Sequence, residues 1–594
     1  PAEKLVPGDV VRLRSGDIVP ADVKLIDGDY LSVDQSALTG ESLPVSKNKG
    51  DVASSGSLIK QGEMAALVTA TGSETYFAKT AKLVEEAGAV SHFQQAVMRV
   101  GDFLIFLSLG LSIILIIVEL LRGLPFIHLI EFVLIVVVAS IPVAMPAVLS
   151  VTMALGALAL SKKKAIVSRL QSIEEMAGID ILCSDKTGTL TQNKLKLGDL
   201  ITFDENDEQA LLLSAALASK EENQDAIDMA VLQGLGDRSM LEGYTQTHFM
   251  PFDPISKKTE ADIEGPNGPF KVSKGAPRVI FNLCHLDPRT WEKAEQIVDE
   301  LASKGYRTLG VARADNEGDW KLLGILPLYD PPREDSADTI KQAVNHGIKM
   351  KMITGDDVAI GREIAGQLGM GTRIQPAEQL FGGEQQQSLT HDAEVKIENA
   401  DGFAEVFPEH KYAIVRALQD RGHLVGMTGD GVNDAPALKQ AEVGIAVSGA
   451  ANAARSAADL VLTEPGLSVI ITAVEEARRI FERMMSYTIY RIAMTIDIMF
   501  FVVAAMLAFN YFPLTPFMII ILALLDDIPI MAIAYDNTYL NPKPVRWEMN
   551  RVLTISSALG FLATVQSFVL LLIGREILQL DIPHLQTMLF LQLV

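Results

Sequence analysis

The sequence is poor in cysteine and short of positive charge. Its two cysteines, Cys183 and Cys284, build no disulfide framework, and neither lies in a cluster of metal-binding residues. Against 74 acidic residues there are 51 basic ones, which gives a formal net charge of −23. So acidic a chain is not suited to binding nucleic acid, whose phosphates attract basic surfaces.

Hydrophobic residues are abundant, at 49% of the 594 residues. Together with the acidic balance, this content is typical of membrane helices joined to acidic cytosolic domains, and the length predicts several domains. Long runs with few charges predict helices in a lipid bilayer at 103–121, 132–161, 489–509, 516–535 and 553–573, with part of another before 594. Basic residues at 162–164 and 543–551 mark cytoplasmic ends of these helices.

One short motif points to chemistry. The apolar run 179–182 predicts a buried parallel strand, which brings Asp185 to the carboxyl end of a sheet, where such sheets bind ligands. The following residues, KTGTLT, allow a tight turn at Gly188 and offer donors to a phosphate. A carboxylate in that position can attack the terminal phosphoryl group of ATP and become an aspartyl-phosphate.

Two more predicted strands end in acidic turns. The strand 348–353 is followed by Thr354, Gly355 and Asp356, and the strand 424–427 is followed by the sequence TGDGVND. Asp430 and Asp434 in that second turn are four residues apart with glycine between them, which suits an oxygen-binding ion such as Mg²⁺. That ion would offset the charge of the phosphate and of the nucleophile.

These motifs together resemble those of the P-type ATPases, along the whole chain. The resemblance implies a multidomain fold: a membrane α-helical bundle, a β-rich actuator domain, an α/β haloacid-dehalogenase-like (Rossmann-type) phosphorylation domain and an inserted α+β nucleotide-binding domain. It implies truncation at both ends. The expected limits are 1–85 for the partial actuator domain, 86–165 for membrane helices three and four, 166–195 and 331–465 for the phosphorylation domain, 196–330 for the nucleotide-binding domain, and 466–594 for the stalk and helices five to eight.

The resemblance also assigns catalytic roles. In the sequence LTGES, Glu41 would position the water that hydrolyses the aspartyl-phosphate, which is work a carboxylate can do as a general base. Lys186 and Thr187 belong to the phosphorylation motif, and the main chain of Thr187 would help to hold Mg²⁺. Lys411, in the sequence FPEHK, would reach the phosphorylated carboxylate.

Two motifs of the expected insertion are similar to nucleotide-domain motifs of the same family. They are PFDP, which contains Phe252, and KGAP, which contains Lys274 and Gly275. An aromatic face with a lysine suits an adenine ring and its phosphates. Lys257 and Arg333 are further candidates for the nucleotide site, and the sequence DPPR around Arg333 predicts a stiff hinge.

The transport path is predicted from breaks and charges in the membrane helices. Pro142 and Pro146 each remove a backbone donor, so the predicted fourth helix is either unwound, with freed carbonyls facing a cation, or simply kinked. Ionisable residues inside membrane helices are costly, and each one is therefore a functional candidate. The candidates are Arg491, Asp497, Asp526 and Asp527.

The predicted cargo is H⁺. The segment IPVAMP has neither the glutamate expected for Ca²⁺, Na⁺ or K⁺ nor a Cys-Pro pair for soft metals. Several segments resemble the plasma-membrane proton pumps of fungi and plants, which implies Asp527 as proton carrier and catalytic domains on the cytoplasmic side. Asp497 stands where the plant pumps have arginine; Arg491 lies about 120° away around the helix and cannot replace that cation. A pump for K⁺, Na⁺ or Mg²⁺, or a membrane-tethered phosphohydrolase, is the alternative.

Overall fold

The computed structural model describes residues 4–28, 30–35, 45–76, 78, 92–122, 133–134, 137, 141, 145–192, 194–203, 207–223, 225–253, 256–315, 319–381, 390–509 and 512–594. The chain divides into two compact units, each made from two segments. The first unit comprises Pro1–Gly88 and Asp180–Val469, and the second comprises Ala89–Ile179 and Ile470–Val594.

The N-terminal segment is a twisted antiparallel sheet, as the alternating pattern predicts. Its strands are β1 (Val10–Arg14), β2 (Asp22–Asp27), β3 (Leu31–Asp34), β4 (Val45–Lys47), β5 (Val52–Ala53) and β6 (Leu58–Ala70). The long strand β6 pairs with β1, β2 and β3, and the buried face carries Leu13, Val23, Leu25 and Ile59. The expected β-rich domain is therefore present.

The second unit begins with helices. Its first segment contains α1 (His92–Leu121), α2 (Met145–Lys162), the short strand β7 (Ala165–Val167) and α3 (Ser172–Gly178). Pro146 lies in the described part of α2, and the unwinding or kink predicted around it stays a prediction, because residues 142–144 lie outside the described residues. Pro142 lies outside the described residues.

After strand β8 (Ile181–Asp185) the chain enters an inserted antiparallel sheet with helices. The strands are β9 (Lys196–Leu197), β10 (Ile201–Thr202), β11 (Thr245–Asp253), β12 (Lys258–Gly265), β13 (Gly268–Gly275), β14 (Arg307–Ala314) and β15 (Trp320–Tyr329). The helices are α4 (Glu208–Leu217), α5 (Ala226–Gly234), α6 (Pro277–Leu283) and α7 (Pro288–Ser303). The strand order is β10-β15-β14-β13-β12-β11, with β9 on β15, which matches the expected α+β insertion.

The chain then returns to the sheet that contains β8. Its further strands are β16 (Lys349–Ile353), β17 (Ile374–Pro376), β18 (Gly402–Ala404), β19 (Val425–Gly429), β20 (Val443–Ala446) and β21 (Leu460–Leu462). The helices are α8 (Ser336–Asn345), α9 (Val358–Gln367), α10 (Ala377–Phe381), α11 (His391–Asn399), α12 (Pro408–Asp420), α13 (Ala435–Gln440) and α14 (Asn452–Ala457). Neighbouring strands are parallel in the order β17-β18-β16-β8-β19-β20-β21, so β8 lies near the centre.

The last segment is helical, with α15 (Ser468–Phe509), α16 (Pro516–Ile530), α17 (Met549–Leu572) and α18 (Ile582–Leu593). The membrane helix predicted at 489–509 is part of a 42-residue helix, because no glycine or proline interrupts 468–509. In the stalk half of α15, the fully buried Arg478 donates to the main-chain oxygens of Ala177 at 3.3 Å and Asn541 at 3.4 Å.

Among the described residues, five helices are long and apolar enough to cross a membrane, in agreement with the five predicted runs. They are Gln95–Val118, Met145–Lys162, Ser468–Phe509, Phe517–Tyr535 and Met549–Ile577. The part-helix expected before 594 is the 12-residue α18. The fold class predicted from the sequence is thus confirmed, while the exact domain limits stay predictions.

A buried lysine ties α11 to the parallel sheet. Lys351 lies in the middle of β16 and is fully buried. Its ammonium donates to the main-chain oxygens of Ile397 and Glu398, each at 3.0 Å, and to that of Ala400. These oxygens lie at the end of α11, where helical carbonyls lack partners and the helix dipole favours a cation. Burial lowers the pKa of Lys351 to about 8, a sign of the cost of holding a charge there.

Replacing this lysine should loosen α11. We expect Lys351→Met to lower the free energy of opening of the α11 amides by about 3 kcal/mol, because the carbonyls it leaves are buried and unsatisfied. Hydrogen exchange of the purified full chain measures this quantity directly. The control is Lys349→Met, on the same strand but exposed, with a single bond to the Glu398 oxygen at 2.9 Å. Equal effects of the two changes would contradict the capping role.

Candidate functional site

Three neighbouring strands carry the acidic motifs to one edge of the parallel sheet. β8 ends at Asp185, β16 ends at Ile353 directly before Thr354, and β19 ends at Gly429 directly before Asp430. In the register of the sheet, Ile353 lies opposite Asp185. Because parallel strands end at the same edge, the three turns meet there, as the sequence predicts.

Two hydrogen bonds hold Asp185, the candidate nucleophile, in position. The Asp185 N–H donates to Thr428 Oγ1 at 3.2 Å, and Asp185 Oδ1 accepts the N–H of Lys186 at 3.0 Å. The chain then turns through Lys186–Leu190, where Gly188 adopts a φ of +71°, a conformation that suits glycine. Thr187 lies in this turn; its side chain is outside the described residues, and the metal role of its main chain stays a prediction.

Lys411, from α12, lies between two of the carboxylates. Its Nζ is 2.6 Å from Asp434 Oδ1 and 3.6 Å from Asp185 Oδ1. The other oxygen of the fully buried Asp434 accepts the N–H groups of Asp430 and Gly431, each at 3.0 Å. Gly429 makes this approach possible, because a Cβ there would lie 2.4 Å from the Asp434 Cβ.

Burial sets the charge states in this cluster. It raises the pKa of Asp185 to about 7, although the Lys411 ammonium acts in the opposite direction. The pKa of Asp430 is also raised, by burial and by the neighbouring Asp434 carboxylate. Burial would lower the pKa of Lys411, but Asp185 and Asp434 outweigh it and raise this pKa overall.

The carboxylates fit a divalent cation. Asp185, Asp430 and Asp434 each offer an oxygen, and these oxygens lie within 4.8 Å of one another. Hard oxygen donors are the ligands that Mg²⁺ prefers. Because both oxygens of Asp434 already accept protein donors, Asp185 and Asp430 are the more available pair.

The remaining catalytic candidates of this edge are joined by hydrogen bonds. Lys186 Nζ lies 2.5 Å from Asp356 Oδ2, so the turn after β8 is tied to the turn after β16. The Thr354 hydroxyl donates to Asp356 Oδ2 at 3.2 Å, and the Asp356 N–H donates back to Thr354 Oγ1 at 3.1 Å. Gly355 lines the cavity beside them.

An open cavity of about 1290 Å³ extends from the carboxylates to the inserted sheet. Phe252, on β11, is 52% exposed and lines it, so a ring face is available for stacking. Lys274, on β13, also lines the cavity but is buried, and donates to Asp228 Oδ1 at 2.6 Å and Ser219 Oγ at 2.8 Å. Burial lowers the pKa of Lys274, against the opposing effect of Asp228.

Other nucleotide-site candidates have different surroundings. Gly275 lines the cavity and must be glycine, because a Cβ there would lie 2.4 Å from the Lys257 main-chain oxygen. The Lys257 side chain is exposed and, like Arg333, is not among the described residues that line the cavity. Arg333 instead lies 3.6 Å from Asp335, and its N–H donates to the Leu190 oxygen at 3.0 Å. An isolated bridge joins Thr191 to Pro332, the residue before Arg333, and the hinge predicted at this point stays a prediction.

The N-terminal sheet also reaches this cavity. Asp34 and Lys60, whose charged atoms are 3.2 Å apart, are among its lining residues. The Tyr76 hydroxyl donates to Glu409 Oε2 on α12 at 2.8 Å, two residues before Lys411. Glu41 lies outside the described residues, in the segment between β3 and β4.

Of the transport candidates, three are described and buried. Asp497, Asp526 and Arg491 are 1%, 8% and 9% exposed. Asp497 Oδ2 lies 3.5 Å from the Ser567 hydroxyl of α17. The side chain of Asp527 lies outside the described residues.

Some residues of the site escaped the sequence analysis. Thr428 binds the nucleophile's N–H, Asn433 is buried at the cavity wall, and Asp228 holds Lys274. Thr428 could have been found, because it lies one residue before the end of β19, the strand next to β8. Asp228 gave a weaker signal, a single acid in the otherwise apolar sequence AIDMAV.

Comparisons with known proteins agree with this architecture. A family model described as the P-type ATPase actuator domain matches residues 1–85, and one described as haloacid dehalogenase-like hydrolase matches residues 179–442. A Methanocaldococcus jannaschii protein, provisionally described as a cation-transporting ATPase, is 54% identical over 598 residues, which cover 100% of this chain and 74% of that protein.

A solved structure of a zinc-transporting PIB-type ATPase in the E2·Pi state is similar with a TM-score of 0.70. The match covers 94% of this chain and 79% of that one at 22% identity, so it bears on the fold alone.

The cavity wall on β13 provides a test of nucleotide binding. We expect Lys274→Ala to weaken the affinity for a fluorescent adenine nucleotide by at least tenfold, because it removes the cation from the cavity and leaves Asp228 buried and unpaired. The control is Lys271→Ala on the opposite face of the same strand, where the lysine is 3.3 Å from Asp262. Unchanged affinity in Lys274→Ala, or an equal loss in both variants, would count against this site.

Proposed function

Because the chain belongs to the P-type ATPase family, we propose that it couples ATP hydrolysis to cation transport across a membrane through an aspartyl-phosphate on Asp185. The observation that carries this proposal is the position of Asp185. Its carboxylate lies at the edge of the sheet, beside Lys411 and at the wall of the cavity that also contains Phe252 and Lys274. The nucleophile, the cationic groups and the candidate nucleotide site therefore line one cavity.

In the first chemical step an Asp185 oxygen attacks the terminal phosphorus of ATP. The new O–P bond forms as the bond to the β-phosphate oxygen breaks, and ADP leaves with that electron pair. Lys411 and Lys186 stabilise the negative charge on the transferred group, since their ammonium groups already lie among the carboxylates. Mg²⁺ held by Asp185 and Asp430, with Asp434 behind them, would offset the remaining negative charge.

Nucleotide binding and hydrolysis complete the cycle. Phe252 offers a ring face to adenine, and Lys274, two strands away on β13, is a buried cation that lines the same cavity. Glu41, by its likeness to the actuator loop of the family, positions the water that attacks the aspartyl-phosphate and releases phosphate. The Asp434 and Lys411 pair stays in place throughout, because both groups are buried and bonded to each other.

For the cargo, the finer proposal is H⁺. The two cysteines of this sequence lie at 183 and 284, away from the five apolar helices, whereas Asp497 and Asp526 lie within them. Zinc favours thiolate and imidazole ligands, which these carboxylates do not supply. The similar proteins are described as transporting cations in one case and zinc in the other, so they favour the broader statement of a cation pump.

The membrane is a further part of the proposal. Five apolar helices make a merely tethered phosphohydrolase the weaker alternative. The likeness to the fungal and plant pumps points to the plasma membrane, with the nucleotide cavity on the cytoplasmic side. A pump for K⁺, Na⁺ or Mg²⁺ would use the same phosphorylation chemistry and differ only in the membrane helices.

Phosphorylation tests the proposed nucleophile. We expect the full chain to take up acid-stable radiolabel from terminally labelled ATP, and Asp185→Asn to take up none and to lose at least about a thousandfold in ATPase rate. Asp199→Asn, an exposed position beyond the same motif, is the matched control and should behave as the parent chain. Label retained in Asp185→Asn would refute the assignment.

A transport assay tests the cargo. We expect ATP to drive acid uptake into vesicles whose catalytic side faces outward, without a requirement for K⁺, Na⁺ or Zn²⁺. Asp527→Asn should abolish this uptake and leave Asp185 open to phosphorylation. If ATPase activity depends on one of those metal ions and the vesicles do not acidify, the proton assignment is wrong and that ion is the cargo.

A further inference from the structure

The inserted sheet has a sharp corner where helix α7 ends. Gly305, two residues after the end of α7, has a φ of +81°, a conformation that suits glycine. Its N–H donates to the Ala302 oxygen at 2.9 Å, and the Tyr306 N–H donates to the Leu301 oxygen at 3.0 Å. These are the two hydrogen bonds of a Schellman motif, so the backbone of this corner has a defined shape.

The corner lies directly against α9, a helix of the parallel sheet. A Cβ at Gly305 would lie 3.2 Å from Ile360 Cα and 3.6 Å from Ile360 Cγ1. Carbon atoms prefer separations of about 3.5 to 4.0 Å, so any larger residue at this position would push the corner and α9 apart. Ile360 belongs to the first turn of α9, which directly follows the catalytic turn of Thr354 and Asp356.

Opposite charges flank this contact. Lys304 precedes Gly305, and Glu363 follows Ile360 by three residues on α9. The pKa of Lys304 is raised, chiefly by its hydrogen bond with Glu300 and to a smaller extent by the charge of Glu363. The attraction between Lys304 and Glu363 therefore favours the contact over its separation.

The contact lies near the point where the chain enters and leaves the inserted sheet. The Tyr306 ring packs edge-on against Tyr329, with 5.4 Å between the ring centres, and Tyr329 is the last residue of β15 before the chain returns to the parallel sheet. Phe252 lies on β11, four strands from β15, which is about 19 Å at the usual spacing of strands. A small displacement at Gly305 therefore becomes a larger one at the adenine-facing ring.

The same contact forms part of the wall of the nucleotide cavity. Gly305 and Ile360 line it together with Asp185, Phe252 and Lys274. Domains joined through short chain crossings move relative to each other unless a contact limits them. A contact on the cavity wall, close to the crossings, is placed to limit how far the cavity closes.

We propose that the contact between Gly305 and Ile360 is the stop that sets how closely the inserted sheet approaches Asp185, and that both are positioning residues for phosphoryl transfer. This inference rests on the proposed function, in which Asp185 attacks ATP. Reacting atoms must come within about 3 to 3.5 Å, and a misplacement of about 1 Å costs about a hundredfold in rate. A larger residue at position 305 holds the bound nucleotide away from Asp185 without altering the groups that bind it.

Helix α9 itself provides a matched control at its other end. Gly369 has a φ of +72°, its N–H donates to the Gly366 oxygen at 3.1 Å, and the Met370 N–H donates to the Ala365 oxygen at 2.9 Å. A Cβ at Gly369 would meet none of the described atoms within 4 Å. Gly369 thus makes the same demands on the backbone as Gly305 but has no contact to protect.

The test compares Gly305→Asn with Gly369→Asn in the full chain. Asparagine tolerates a positive φ, so the two changes share a small backbone cost and differ in the contact. At saturating ATP we expect Gly305→Asn to take up label on Asp185 at least tenfold more slowly than the parent chain. Its affinity for a fluorescent adenine nucleotide should stay within threefold, and Gly369→Asn should match the parent in both measurements. A merely structural defect would lower affinity and rate together.

The outcomes separate this inference from the proposed function. If the parent chain takes up no label, the proposed function fails. If the parent is labelled and Gly305→Asn is labelled equally fast, or if both asparagine variants are slowed alike, the stop is wrong. Should Gly305→Asn lose its nucleotide affinity, the alanine pair decides, since alanine adds only the Cβ. Labelling at least threefold slower in Gly305→Ala than in Gly369→Ala supports the stop, and equal rates overturn it.

Discussion

The catalytic edge of the parallel sheet depends on one ammonium group. Asp185, Asp430 and Asp434 bring three carboxylates within 4.8 Å of one another in a desolvated place, where like charges repel strongly. Lys411 makes this arrangement tenable, because its Nζ lies 2.6 Å from Asp434 and 3.6 Å from Asp185. The Lys411 ammonium that stabilises the folded cluster also lies next to Asp185, where a transferred phosphoryl group would add negative charge. Stability and chemistry are therefore coupled at a single side chain.

The sequence predicted the parts of the site that follow from strand ends. Asp185, Asp356 and Asp430 each come three residues after the end of a predicted apolar strand, and parallel strands bring such positions to one edge. Contacts that depend on tertiary packing had no such signal. The burial of Lys274 against Asp228 required knowledge of how α5 packs on β13, and the nucleotide role of Arg333 stays a prediction.

The fold was predictable to a similar extent. Long apolar runs with few charges identified the five long apolar helices, since a bilayer demands about 20 predominantly apolar residues in succession. The start of α15 was missed because its charged first half does not look like a membrane segment, although nothing in its sequence stops a helix.

Because α15 is unbroken, it fixes the angle around the helix axis between Arg478 and Asp497. Nineteen residues separate Arg478 from Asp497, which places the carboxylate about 28 Å further along the axis and about 100° around it. Inserting one residue between them would swing Asp497 off α17 by about 100°, and inserting seven would restore its bearing but displace it by about 10 Å. The number of residues between Arg478 and Asp497 is thus constrained as tightly as the identity of the two residues, because an insertion would separate Asp497 from α17 even if every side chain were kept.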